Sequence, residues 1–201
     1  MSETTKLKLI AAVESLLTEK GFASVTLRDI TETAGTNVAS VAYHFGSKDD
    51  LIAQVYSDGL REVTQAQVER INALPGDASL ETVVRTWLNP LLLTSAQSSR
   101  EAQLWKMIYR GFNEQAPVMA VAMKALGNSV DDSLMLRLQK LIPQVSPQEL
   151  QLRHDLVLAA VSSVMNTPAP AGKFSQDVMQ QALLNWIIGG LTAPALKPEL
   201  F

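Results

Sequence analysis

Asn37, Ser40, Tyr43 and His44 place amide, hydroxyl, phenol and imidazole groups within eight residues. Such groups can bond phosphate oxygens or the edges of bases. From Ala34 to Ser47 the chain has no Asp, Glu, Lys or Arg. A helix built from this stretch could enter a phosphate-lined groove without repulsion. Thr26, Val38 and Ala39 complete the uncharged candidates. Lys6, Lys8, Arg28 and Lys48 are the bases that could reach phosphate, although a solvated charged face is the ordinary alternative for each. Other chemistry is poorly supplied. The two histidines, His44 and His154, are far apart, and there is no cysteine. A metal would need carboxylates, and no His-x-x-x-His spacing is present. Asp49-Asp50 and Asp131-Asp132 are adjacent, so on a helix they diverge and make no acid/base pair. Ser162-Ser163 and His154-Asp155 lack a third orienting group, and no Gly-rich phosphate loop occurs. No enzyme, metal or cofactor is expected.

The elements that must position Asn37 to His44 are two short helices around a tight turn. Thr26 with Asp29 three residues later marks a helix start. Leu27, Ile30 and Ala34 fall at helical spacing and are expected to face inward. Gly35 stops that helix, because glycine tolerates the left-handed backbone of a sharp reversal. Asn37 caps a second helix over Val38 to Phe45, with Val41 and Phe45 inside and Asn37, Ser40, Tyr43 and His44 outward or flanking. This is the sequence form of a helix-turn-helix, whose second helix lies in the major groove. A buried helical hairpin with a polar outer face fits the same pattern.

The segment resembles the DNA-binding domain of the TetR family of bacterial transcriptional regulators. The matching residues are Ile10-Ala11-Ala12, Gly21-Phe22, Thr26, Asp29-Ile30, Ala34-Gly35, and Tyr43-His44-Phe45-Gly46-Ser47-Lys48 followed by Leu51. The resemblance covers about the first quarter of the chain. It departs from the family at Thr31, at Thr36 and at Ala42, where many members carry a tyrosine that contacts phosphate. The resemblance implies an all-α fold: a three-helix DNA-binding domain over residues 1–48, then a helical bundle over 49–201 for effector binding and dimerisation.

The rest of the chain is consistent with that division. Of its 201 residues, 47% are hydrophobic, ample for a packed core. The absence of cysteine suits a reducing cytoplasm, no signal peptide is visible, and no stretch is long and apolar enough for a membrane span. The net charge of −3 means that any attraction to DNA must be local. Periodicity predicts a first helix from Thr5 to Lys20 with Ile10, Val13 and Leu17 inside. A long helix from Ser47 to Leu74 is expected to link the two domains. Further helices begin near Leu80, Glu101, Pro117, Ser146 and Gln176. The one from Pro117 is expected to run to Leu141 with an irregularity near Gly127-Asn128. Thr94–Ser99 and Thr167–Lys173 read as loops.

The last two helices carry apolar residues on more than one face, among them Leu156, Val157, Val161, Trp186, Ile187 and Leu191. Such helices must bury a second face. A partner subunit is one cover and packing within one chain is the other; the family resemblance implies a two-fold homodimer through these helices. The middle helices hold Trp87, Leu91, Trp105, Ile108, Met119 and Met123; each singly reads as ordinary core, and as a group they suggest a lipophilic effector cavity. Arg110 and His154 are candidate anchors for an acidic or polar head group, with a surface arginine and a satisfied histidine as the ordinary alternatives. The Trp-Leu-Asn-Pro and Arg-Gly-Phe-Asn-Glu segments also resemble the family branch whose effectors include a fatty acid or acyl-CoA. The expectation is therefore a double-stranded DNA operator and a small apolar effector as partners, with release from a palindromic operator. The alternative is a helical ligand-binding or protein-interaction module that has lost DNA binding.

Overall fold

The computed structural model describes residues 3–92, 99–126, 131–166 and 175–197, apart from the side chains of 89–92, 126, 131, 165, 166, 176 and 177. They form ten α-helices and, among the described residues, no strand: α1 (Glu3–Lys20), α2 (Leu27–Ala34), α3 (Val38–Phe45), α4 (Lys48–Ala73), α5 (Leu80–Leu92), α6 (Arg100–Asn113), α7 (Pro117–Leu126), α8 (Asp131–Leu141), α9 (Pro147–Asn166) and α10 (Gln176–Leu191). The fold is all-α, as the periodicity indicates. Pro117 to Leu141, expected as one interrupted helix, comprises two helices, with 127–130 outside the described residues. The loops expected at Thr94–Ser99 and Thr167–Lys173 also fall largely outside them.

The chain divides into two compact units, residues 1–64 with 97–127, and residues 65–96 with 128–201. α4 runs through both. In the first unit α1 packs on α2, α3 and α6. The inner face of α1 is Leu9, Ala12, Val13, Leu16 and Leu17, whereas Ile10 is only half-buried. The expected stripe was therefore turned by one position at its start. α4 keeps the expected rhythm, with Ile52, Tyr56, Leu60, Val63, Gln67 and Ile71 all buried.

In the second unit α5 packs on α8, α9 and α10, and α8 and α10 each pack on α9. Val157, Val161, Leu184, Ile187 and Leu191 fill the core between them. Ser146 caps α9 by accepting from the Glu149 amide at 3.2 Å. The Glu149 carboxylate, 2% exposed, does not return to the cap. It pairs with Arg153 and accepts from the Leu196 amide at 3.0 and 3.1 Å. Arg153 also donates to the carbonyls of Gly190, Leu191 and Pro194. One buried ion pair thus fastens α9 to the end of α10 and to the tail after it. Removing one partner of such a pair leaves an uncompensated buried charge, whereas replacing both with apolar groups is often neutral. Glu149→Gln is expected to lower unfolding free energy by about 3 kcal/mol, and Glu149→Met with Arg153→Met to recover only part of it, because the Leu191 and Pro194 carbonyls and the Leu196 amide lose their partners, measured by urea unfolding followed by tryptophan fluorescence.

Candidate nucleic-acid interface

The two short helices are held by their ends. Thr26 accepts from the Asp29 amide at 3.1 Å, and Asp29 accepts from the Thr26 amide at 2.9 Å. This is a reciprocal capping box in which Asp takes the place of the usual Glu or Gln. The Asp29 carboxylate is held well below the usual carboxylate range. The causes, in order, are the Thr26 hydroxyl, the Lys20 ammonium and the Thr26 amide. Gly35 ends α2 at φ 61°, ψ 41°, the left-handed region that favours glycine. Thr31 is buried, and its hydroxyl donates to the carbonyls of Leu27 and Arg28, so it sits in the helix without an orphaned polar atom.

Asn37 caps α3 as expected, but its chemistry is already engaged. Its Oδ1 accepts from the Ser40 amide at 3.0 Å and from the Ser40 hydroxyl at 3.2 Å. Ser40 is buried, which corrects its placement as an outward group. Val41 forms the inner face and Phe45 is half-buried. His44 is half-buried with its Nε2 inside, and its ring lies edge-on to Tyr43 at 4.9 Å. The outward face of α3 is Val38, Ala39, Ala42 and Tyr43, with Val38 52% and Tyr43 69% exposed. Thr26 and Arg28 are exposed, and Arg28 pairs with Glu32. Lys48 donates to the Val25 carbonyl at 3.1 Å and lies over the Phe22 ring.

α6 clamps this assembly at two points. Arg100 forks onto Glu62 and Glu14, tying α4 to α1. Arg110 donates to the carbonyls of Thr18, Glu19 and Lys20, three groups that the end of α1 leaves without a helical partner. Glu114 holds Arg110 at 2.9 Å and accepts from the Ala23 amide. Gly21 makes room for the clamp: at φ 78°, a Cβ there would lie 1.9 Å from Glu114 Oε1. Arg110 was read as an effector anchor, but here its guanidinium is occupied in closing α1.

The remaining effector candidates fall in both units. In the first, Trp105, Ile108 and Met119 are buried and Met123 is exposed. Trp105 stacks on Tyr109 with centroids 5.5 Å apart. Trp105 Nε1 and Tyr109 Oη are both buried without a hydrogen-bond partner. The sequence reading missed Tyr109, though its spacing of four from Trp105 was visible. In the second unit Trp87 stacks on buried His154, centroids 5.1 Å apart. Leu91 belongs to α5, but its side chain is outside those described. Among the described residues no group of three or more His, Cys, Asp or Glu could hold a metal, and no helix is long and apolar enough to cross a membrane.

Residues 9–55 match the model of the bacterial regulatory proteins of the tetR family. The match is to the N-terminal domain of that family and takes in α2 and α3. YttP of Bacillus subtilis, which bears the name of an HTH-type transcriptional regulator, is 24% identical over 55% of this chain. The chain spans about half of that relative, 51% of its length. The HTH-type transcriptional regulator BetI of Vibrio vulnificus is 22% identical over 99% of this chain and 85% of its own. Among solved structures, the fatty acid degradation regulator FadR of Bacillus halodurans superposes with a TM-score of 0.67 at 14% identity, covering 95% of this chain and 98% of that one. That likeness is one of fold.

The depressed Asp29 carboxylate contributes stability that is present above its unfolded pKa, ~3.9, and lost as pH falls towards its folded value. Asp29→Asn is expected to be less stable at neutral pH and to lose less stability than the wild type on acidification below about pH 4, measured by denaturant unfolding from pH 2 to 7.

Proposed function

We propose that this chain is a homodimeric transcriptional repressor, released from a pseudo-palindromic operator by an apolar effector with a hydrogen-bond-accepting head. The observation that carries the DNA reading is α3. It is an uncharged helix capped at its start by Asn37, with Val38, Ala39, Ala42 and Tyr43 left outward inside a TetR-family domain.

A dimer is supported by the outer faces of α9 and α10. Leu152, Leu156 and Ala159 make one exposed stripe; Val178, Ala182, Trp186 and Gly189 make another. Leu156 is 57% and Trp186 59% exposed, and a Cβ on Gly189 or Gly190 would meet nothing within 4 Å. Large exposed apolar groups at regular spacing mark an interaction surface. A two-fold pair would place two α3 helices in successive major grooves, ~34–36 Å apart. Ile187 and Val161, also named for this interface on sequence, lie inside one chain, fully buried.

For the effector, the Trp105–Tyr109 pair supports a fatty acid or acyl thioester. Burial pushes the Tyr109 phenol well above its ordinary value, so it stays a donor. Two buried, unpartnered donors suit a carboxylate or carbonyl oxygen. The effector must bind the operator-incompatible form more tightly, since a ligand shifts an equilibrium only by its differential affinity.

Leu156→Glu and Trp186→Glu are expected to give folded monomers by light scattering, with operator affinity lost, whereas Ile187→Glu should unfold the chain. Dimers in both surface variants would remove the half-site geometry. Trp105→Phe and Tyr109→Phe are each expected to weaken binding of a long-chain fatty acid or its CoA thioester about tenfold, while operator binding by the effector-free protein is unchanged. Wild-type affinity in both variants, read by isothermal titration, would sink the head-group assignment.

A further inference from the structure

We propose that α3 reads its operator through the methyl groups of thymine rather than through hydrogen bonds to guanine or adenine. This rests on the reading of the chain as a DNA-binding regulator and deepens it by naming the base feature recognised.

The outward face of α3 is a single stripe: Val38, Ala39, Ala42 and Tyr43 lie at i, i+1, i+4 and i+5. Each base edge in the major groove calls for its own partner. Guanine is read by Arg or Lys, adenine by the paired oxygen and nitrogen of Asn or Gln, and cytosine by Asp or Glu. None of these types occurs from Val38 to Phe45. The amide nearest the helix is Asn37, whose Oδ1 already accepts two hydrogen bonds from Ser40. A bidentate grip on adenine needs that oxygen. Ser40 could read either kind of edge, but it is buried.

What the stripe does offer is methyl surface on short side chains. The C5-methyl of thymine is the apolar feature that the major groove presents, and small apolar side chains contact it. Short side chains also let the helix backbone approach closely. Tyr43, at the end of the stripe, keeps a hydroxyl for phosphate or a base edge.

The test begins with duplexes selected by the full-length protein from a random pool. These are resynthesised with deoxyuridine at every thymidine, and then at one thymidine at a time. Base pairing is retained and only the methyl is lost. Anisotropy at fixed salt is expected to show about fourfold weaker binding for each contacted methyl removed, from the transfer free energy of one such group. In Val38→Ala, the penalty at the thymine that Val38 meets should shrink, which a general change in duplex flexibility would not produce. Equal affinity for thymine and uracil duplexes would overturn the proposal while leaving the regulator reading intact. So would penalties unchanged in both Val38→Ala and Ala42→Ser. If no duplex is retained from the pool at low salt, both fall together.

Discussion

An eight-residue helix is not stable alone in water, because nucleation is costly and few hydrogen bonds reward it. α2 and α3 are both this short, and the outer face of α3 has to stay uncommitted if it is to meet a ligand. Stability must then come from the inner face and from the ends. Thr26 with Asp29, Gly35 in the left-handed region, Asn37 with Ser40, and Ser47 accepting from the Asp50 amide supply the ends. This has a consequence for recognition. The short polar residues near the start of α3 are the ones that capping uses, so the exposed remainder is apolar except for the Tyr43 hydroxyl. Holding a short helix in place and choosing what it can read are, in this chain, set by the same few atoms.

α6 extends the same hold from outside the motif. Arg100 at its first turn grips Glu14 and Glu62, and Arg110 near its last turn closes the carbonyl end of α1. A guanidinium suits both positions because it offers five donors in a planar fork. Trp105 and Tyr109 lie on the same helix between the two grips. A ligand bound to that aromatic pair would act on a helix whose two ends are fixed to α1 and α4, and so to the elements that carry α3. A displacement of α6 along its axis would strain charge-assisted hydrogen bonds at either end.

Features with short-range causes were legible in sequence. The caps at Thr26, Asn37 and Ser146 each bond an amide three residues on, and Gly35 needs only its own φ to be understood. What was not legible depended on distant partners. Glu149 looks like the acid of a capping box, yet its partners include Leu196, 47 residues away. Arg110 looks like a ligand anchor until α1 is placed beside it. In α1, Leu9 and Ile10 are adjacent and both fit a helical stripe, so periodicity did not distinguish them. Ser40 reads as an outward polar group because nothing in the sequence says that its hydroxyl will turn back to Asn37. Of the aromatic and methionine residues, Trp105, Met119 and Met123 belong to one compact unit and Trp87 to the other, a division that periodicity along the chain does not show.

α9 and α10 pose the same ambiguity more sharply, since both are apolar on two sides. Hydrophobic burial alone does not decide which side of α9 faces inward: Val157 and Val161 would serve, and so would Leu152 and Leu156. The buried ion pair decides it. Arg153 reaches Gly190, Leu191 and Pro194 while held by Glu149. Turning α9 to bury Leu152 and Leu156 would carry Arg153 away from those carbonyls and leave the end of α10 unsatisfied. The charge pairing alone is weak evidence of net stability, but the pair also satisfies backbone groups at the end of α10. Its effect is on register, and by fixing register within one chain it leaves the stripe through Leu156 and Trp186 outward, where a second copy can cover it.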